Sequence, residues 1–216
     1  MMNETKLRDQ ICELAKSLFD RGLTHGSTGN ISARTDDGGL LVSPTGTSFG
    51  RLDAAALSRF DAAGNHIDGD SPTKEMPLHA AFYDTRSVAG AVVHLHSCHA
   101  VAWSTMPDLD DDNFLPPITP YSIMQLGRVK LLPFFLPGDP AMGDAIRGLA
   151  GKHSAVMLAN HGPVVAGKDV MAACNAIEEL EATARLALLL RGVDARMLNS
   201  DQINAVVTRF DVKWES

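Results

Sequence analysis

Apolar residues recur every three or four positions near the start of the chain, where Leu7, Ile11, Leu14 and Leu18 line one side of KLRDQICELAKSLFDRGL. That stripe predicts a helix with one buried face, and Gly22 supplies a left-handed stop after it. The period then shortens. Residues 24–34 read as a glycine-rich turn running into a short strand, and residues 40–42 as a second strand ending at Ser43-Pro44-Thr45-Gly46. Residues 51–70 predict a short Ala-rich helix followed by a hairpin or surface loop in DAAGNHIDGD.

Pro77 lacks an N–H and fits the first turn of a helix over 77–83, which leaves Thr73, Lys74 and Glu75 at its mouth. AGAVVHLHS reads as a strand whose alternation puts Val93 and Leu95 on one face, His94 and His96 on the other. Residues 114–138 are punctuated by proline and read as short strands; Asp139 and Pro140 open a helix through about residue 149. SAVMLANHGPVVAG predicts two strands folded back at residues 160–163. A last long helix carries Val170, Ala173, Ile177, Leu180 and Ala184 on its inner face. The sum is an α/β fold: one domain over residues 1–216, with a central sheet covered by helices and connections short enough for mixed or antiparallel pairing.

Composition narrows the function classes. Of 216 residues 45 % are hydrophobic and 21 % charged, which excludes a disordered chain. With 19 Lys and Arg against 26 Asp and Glu the net charge is −7, which disfavours nucleic acid as a partner. No apolar stretch approaches the roughly 20 residues of a membrane span. Three scattered cysteines, Cys12, Cys98 and Cys174, suit a reducing compartment, and the expected location is cytoplasmic. Any anion must be held by a local pocket.

Histidine changes the picture. Eight are present, three of them within HLHSCH. Residues two apart on a strand share a face, so His94 and His96 can converge on one ion. His161, in a tight turn, can complete the set, and Glu75 can add a carboxylate. Three imidazoles and an acid suit zinc or a similar divalent cation. A second constellation is the trio of polar turns Ser27-Thr28-Gly29-Asn30, Ser43-Pro44-Thr45-Gly46 and Ser71-Pro72-Thr73-Lys74. Their amides and hydroxyls suit a small phosphate. No nucleotide-binding glycine fingerprint accompanies them. Residues 108–113 read as a solvated loop, Cys98 as a filler beside the histidine strand, and His99 as a strand-end surface residue.

The order Gly29-Asn30, SPTG (43–46), PTKE (72–75), His94-x-His96 and Asn160-His161-Gly162 resembles the class II aldolase family. SPTKE, VVHLHS and ANHGPVVAG are most similar to its subgroup that decarboxylates 3-oxo-tetronate 4-phosphate. The resemblance implies an αβα domain with a mainly antiparallel sheet, assembled as a homotetramer acting on a small phosphorylated sugar acid. It also implies His94, His96 and His161 as ligands of Zn2+ (or Mn2+ or Co2+), with Glu75 as acid–base residue and further ligand. By the same match Gly29, Asn30, Thr45, Gly46 and Thr73 bind phosphate, and Tyr121 donates a proton to a neighbouring site. Either Glu75 or Tyr121 delivers the final proton on this reading. One departure stands out: aldolases of the family carry two serines before the glutamate, where this chain has Thr73-Lys74. A lysine there suits a substrate with both carboxylate and phosphate, or else faces solvent. Sugar-phosphate aldol cleavage is the alternative activity, epimerisation a further one, and a non-catalytic adducin-like interaction domain the alternative of another class.

Overall fold

The structure, a computed structural model, describes residues 3–214. Its strands are β1 (Asn30–Arg34), β2 (Leu40–Val42), β3 (Ser58–Phe60), β4 (His66–Asp68), β5 (Ala91–His94), β6 (Lys130–Leu132), β7 (Ala155–Leu158) and β8 (Gly162–Gly167). They form one sheet in the order β4-β3-β2-β1-β5-β8-β7-β6, antiparallel throughout except for the β6–β7 pair. The helices are α1 (Glu4–Asp20), α2 (Met76–Thr85), α3 (Cys98–Ser104), α4 (Pro120–Leu126), α5 (Ala141–Gly148), α6 (Val170–Leu189) and α7 (Ser200–Phe210).

Strand alternation divides the apolar residues into two cores. Ile31, Val93, Leu95, Met157 and Val165 pack on one side with Ile11 and Leu18 of α1 and Ile177 and Leu180 of α6. Val92, Val156, Leu158 and Val164 pack on the other with Leu78 and Phe82 of α2 and Met142 and Ile146 of α5. This is the expected αβα layering, with a mainly antiparallel sheet between two helical faces. None of the helices among the described residues is long and apolar enough to cross a membrane.

Register fixes what lies beside what. Asn30 of β1 stands opposite His94 of β5, and Val164 of β8 opposite His94 on its other side. Since successive residues alternate faces, Asn30, Ser32, Val92 and His94 all point toward the α2 layer. The sheet therefore carries its polar residues at one end of an apolar face.

Five expectations are corrected. The Ala-rich helix after residue 51 is a turn: Asp53 accepts from the amides of Ala55 through its side chain and Ala56 through its carbonyl, so the segment closes before a helix can propagate. The proline-rich stretch 114–138 contains α4 as well as the strand β6; Pro120 occupies the first turn of α4, where its missing N–H costs nothing. Cys98 is exposed at the start of α3 and fills no space beside the histidine strand. His99 lies on the same helix and not at a strand end; its side chain keeps the expected surface exposure but is anchored, its Nδ1 and backbone amide both 2.7–2.9 Å from Glu181 Oε1. On α1, Leu14 is only partly buried, and Ala15 is fully buried on the inner face.

Candidate active site

β5 ends at His94, and the chain keeps its alternation for two more residues before turning into α3. Leu95 dips into the α1/α6 core while His96 emerges beside His94, their rings 4.9 Å apart. The turn between β7 and β8 delivers His161 to the same place. Asn160 takes a left-handed φ of 58° there, and its amide donates to Ser104 Oγ at 3.0 Å. Gly162 passes so close to the Leu95 carbonyl that a Cβ would lie 2.0 Å from that oxygen, so only glycine lets the turn approach the strand. Glu75 arrives from the third direction, as the residue immediately before α2.

Four potential ligand atoms thus converge from three elements, all within 4.8 Å of one another. His94 Nε2 lies 3.1 Å from His96 Nε2, which lies 3.1 Å from His161 Nε2. The Glu75 carboxylate stands 3.2 Å from His161 Nε2 and 3.4 Å from His94 Nε2. A tetrahedral cation roughly 2.0–2.1 Å from each donor needs donor separations of about 3.3–3.4 Å, close to the four just given. The tautomer agrees. His94 Nδ1 donates to the Pro163 carbonyl at 2.9 Å, which leaves its Nε2 lone pair aimed into the cluster. Lone pairs and a carboxylate gathered in a buried space repel unless a cation sits among them, so the donor set fits a divalent metal.

Electrostatics point the same way. Burial, helped by His161, lowers the His94 pKa against the opposing pull of the Glu75 carboxylate, and desolvation with its two histidine neighbours pushes His96 down to about 3. Both rings are therefore neutral near pH 7, the form that ligates. Burial alone would raise the Glu75 pKa, but the hydrogen bond with His161, the nearby His94 and the Asn30 amide outweigh it. Glu75 is held well below the usual carboxylate range, hence ionised.

The three polar turns meet at the same end of the sheet. Pro44 and Pro72 form a bridge, Thr45 N–H donates to the Ser71 carbonyl at 2.9 Å, and Thr73 N–H to the Ser43 carbonyl at 3.3 Å. The second and third turns are thereby zipped together. Thr45 and Gly46 remain exposed, while Thr73 is buried and its Oγ1 accepts from the Glu75 amide at 3.2 Å. Gly29, at φ 83°, brings the first turn in: a Cβ would sit 3.0 Å from the His94 carbonyl oxygen. Asn30 is otherwise occupied, its Nδ2 donating to Glu75 Oε2 at 2.7 Å and its Oδ1 lying 2.6 Å from His79 Nε2. Lys74 is exposed beside Glu75, with no ion pair among the described residues. Tyr121 is 59 % exposed at the start of α4, and among the described residues no hydrogen bond links it to the cluster.

Two residues hydrogen-bonded to the elements around the cluster were missed in the sequence. Glu181 of α6, nearly buried, accepts from the His99 and Ala100 amides and so caps α3, the helix that follows His96. His79 is the other. It lies four residues from Glu75 and four from Tyr83, a spacing that puts all three on one side of α2 and is visible in the sequence.

Comparison with known proteins agrees with the geometry. The chain is 41 % identical to a 3-oxo-tetronate 4-phosphate decarboxylase of Pectobacterium atrosepticum, over 94 % of this chain and 93 % of that one. It is 41 % identical to a protein of the same name from Cupriavidus necator, over 99 % and 100 %. The crystal structure of YgbL from Klebsiella pneumoniae superposes with a TM-score of 0.92 at 42 % identity, covering 95 % of this chain and 100 % of that one. Residues 9–188 match the model of the class II aldolase and adducin N-terminal domain, a family whose aldolases imply a divalent metal at a site such as the Glu75 cluster. The chain belongs to the class II aldolase and adducin N-terminal domain family.

Proposed function

We propose that this chain, acting as one domain over residues 1–216, decarboxylates 3-oxo-tetronate 4-phosphate to dihydroxyacetone phosphate and carbon dioxide. The observation that carries the reading is the intact convergence of Glu75, His94, His96 and His161 in a chain 41 % identical, over nearly its whole length, to a decarboxylase of that name. The same convergence argues against a non-catalytic interaction domain, which has no use for four converging ligands, two of them buried.

The substrate is a β-keto acid. Breaking the C1–C2 bond releases CO2 and leaves its electron pair as an enediolate over C2 and C3; one proton added at C2 completes the product. A divalent cation, Zn2+ or alternatively Mn2+ or Co2+, supplies Lewis acidity that stabilises this developing charge. His94, His96 and His161 would hold it, with Glu75 as the fourth donor. Thr45, Gly46, Gly29, Thr73 and the backbone of the Asn30 turn receive the phosphate. Lys74, exposed beside Glu75 and without an ion pair among the described residues, recruits the carboxylate that leaves. Glu75, held ionised, is poorly suited to give the first proton; a phenol is better suited. Tyr121, contributed by a neighbouring copy in a homotetramer, gives that proton to C2, and its exposure on its own chain supports this role. The three free thiols suit a cytoplasmic enzyme.

Aldol cleavage of a sugar phosphate through the same enediolate is the second reading, favoured by the family's aldolases. Side-by-side assays decide between them. Purified metal-loaded protein given 3-oxo-tetronate 4-phosphate should release CO2 and dihydroxyacetone phosphate in equal amounts, and should cleave L-fuculose 1-phosphate far more slowly. Faster cleavage of L-fuculose 1-phosphate overturns the decarboxylase assignment.

A further inference from the structure

Behind the cluster, α2 and β1 enclose an unbroken line of polar side chains that reaches no solvent-exposed group. Tyr83 Oη lies 2.8 Å from Ser32 Oγ, and Ser32 Oγ lies 2.7 Å from His79 Nδ1. His79 Nε2 lies 2.6 Å from Asn30 Oδ1, and Asn30 Nδ2 lies 2.7 Å from Glu75 Oε2. Ser32 and His79 are wholly buried, and Asn30 and Tyr83 nearly so. A polar group left unpaired in apolar surroundings is costly, so four buried side chains paired in a row behind Glu75 need a reason beyond packing.

The direction of the line follows from its last member. An ionised carboxylate only accepts, so Asn30 must turn Nδ2 toward Glu75 and Oδ1 toward His79. His79 must then carry its proton on Nε2 and leave Nδ1 as acceptor. Ser32 accordingly donates to Nδ1 and accepts from Tyr83. Every O–H and N–H points toward Glu75. The reverse orientation would set Asn30 Oδ1 against the Glu75 carboxylate. The line is not a proton wire, because the Asn30 amide interrupts it: an amide holds its two hydrogens and relays orientation only. Burial keeps His79 neutral, pushing its pKa down to about 3, which suits a fixed tautomer.

We infer that His79 is a positioning residue of the active site: held by Ser32 as the Nε2–H tautomer, it locks the Asn30 amide and thereby fixes the Glu75 carboxylate toward the three histidines without touching substrate. The inference rests on the reading of Glu75 as the carboxylate of this site. Two amide replacements separate positioning from packing. The Gln amide reaches the place of Nε2 and can donate to Asn30; the Asn amide reaches only the place of Nδ1. His79→Asn should lower kcat and Zn2+ affinity each by about 10–100-fold with KM little changed, and His79→Gln should recover most of both.

Zn2+ affinity is read by competition with a chromogenic chelator, with no substrate present. If wild-type protein fails to decarboxylate the substrate, the proposed reaction is wrong, and the affinity difference between the two variants still decides the role of His79. Equal losses in Asn and Gln variants, tracking Tm, or no loss in either, overturn the inference. Should the variants not fold, long-range 1H–15N correlation spectra of wild-type protein decide it. The Nε2–H pattern for His79 supports the assignment, and the Nδ1–H pattern overturns it.

Discussion

The two halves of the site are built differently. The histidine half is complete within one chain: His94 and His161 are buried, their partners come from β5, the β7–β8 turn and α2, and Glu75 is bonded from behind. The turn half is open, with Thr45, Gly46 and Lys74 exposed and the turns tied to each other through backbone bonds. Rigid, desolvated groups belong where charge develops in the reaction, since they need no reorganisation there. Exposed turns belong where a charged ligand must enter and leave. On the proposed function, chemistry and recognition are separable here, and they should fail separately.

The largest effect tests the first half. His94→Ala or His161→Ala should abolish bound metal and lower kcat on the order of 10³-fold or more, read by metal analysis and steady-state kinetics. Next comes Tyr121→Phe, expected to lower kcat by about 10²-fold with metal content unchanged. If mixing it with His94→Ala protein restores activity in hybrid oligomers, the two residues act across a boundary between copies. Lys74→Ala should raise KM roughly 10-fold while leaving metal content intact, because one charge-assisted bond to an anion is lost. Loss of metal in that variant would erase the distinction between the halves.

The smallest effect concerns stability. His79 is neutral in the fold, its pKa pushed down to about 3 by burial and then by His94, whereas the unfolded imidazole titrates near 6.5. Between those values the unfolded chain binds the additional proton, so this contribution to stability is full above about 6.5 and is lost as pH falls toward 3. Glu75 and His94 are the ionisable groups that face it, together with the Tyr83 phenol on its own helix. Thermal melts of metal-free protein across that window should show a shallower pH slope in His79→Gln than in wild type.

Much of this was legible in the sequence because it rests on periodicity. The alternation in AVVHLH put His94 and His96 on one side, and they remain there although β5 formally ends between them. The strand of residues 40–42 and the inner face of α6 follow from the same rule. Local punctuation misled where one signal has two readings. Pro120 marks the start of α4 as readily as the end of a strand, and the Ala-rich run after Asp53 is too short to nucleate a helix against an Asx turn. The candidate metal donors were legible because few residue types ligate. Their supports were not, since Ser32, His79 and Asn30 acquire meaning only when β1 pairs with β5 and α2 packs across both. Glu181 is harder still: it meets His99 across 82 positions of sequence, and nothing local marks it.

The most direct test of the central claim is CO2 release from 3-oxo-tetronate 4-phosphate by protein stripped of metal and then reloaded with Zn2+. Activity should vanish on stripping and return on reloading, with one dihydroxyacetone phosphate formed for each CO2. An undiminished rate in stripped protein, confirmed metal-free, would contradict the role assigned to Glu75, His94, His96 and His161.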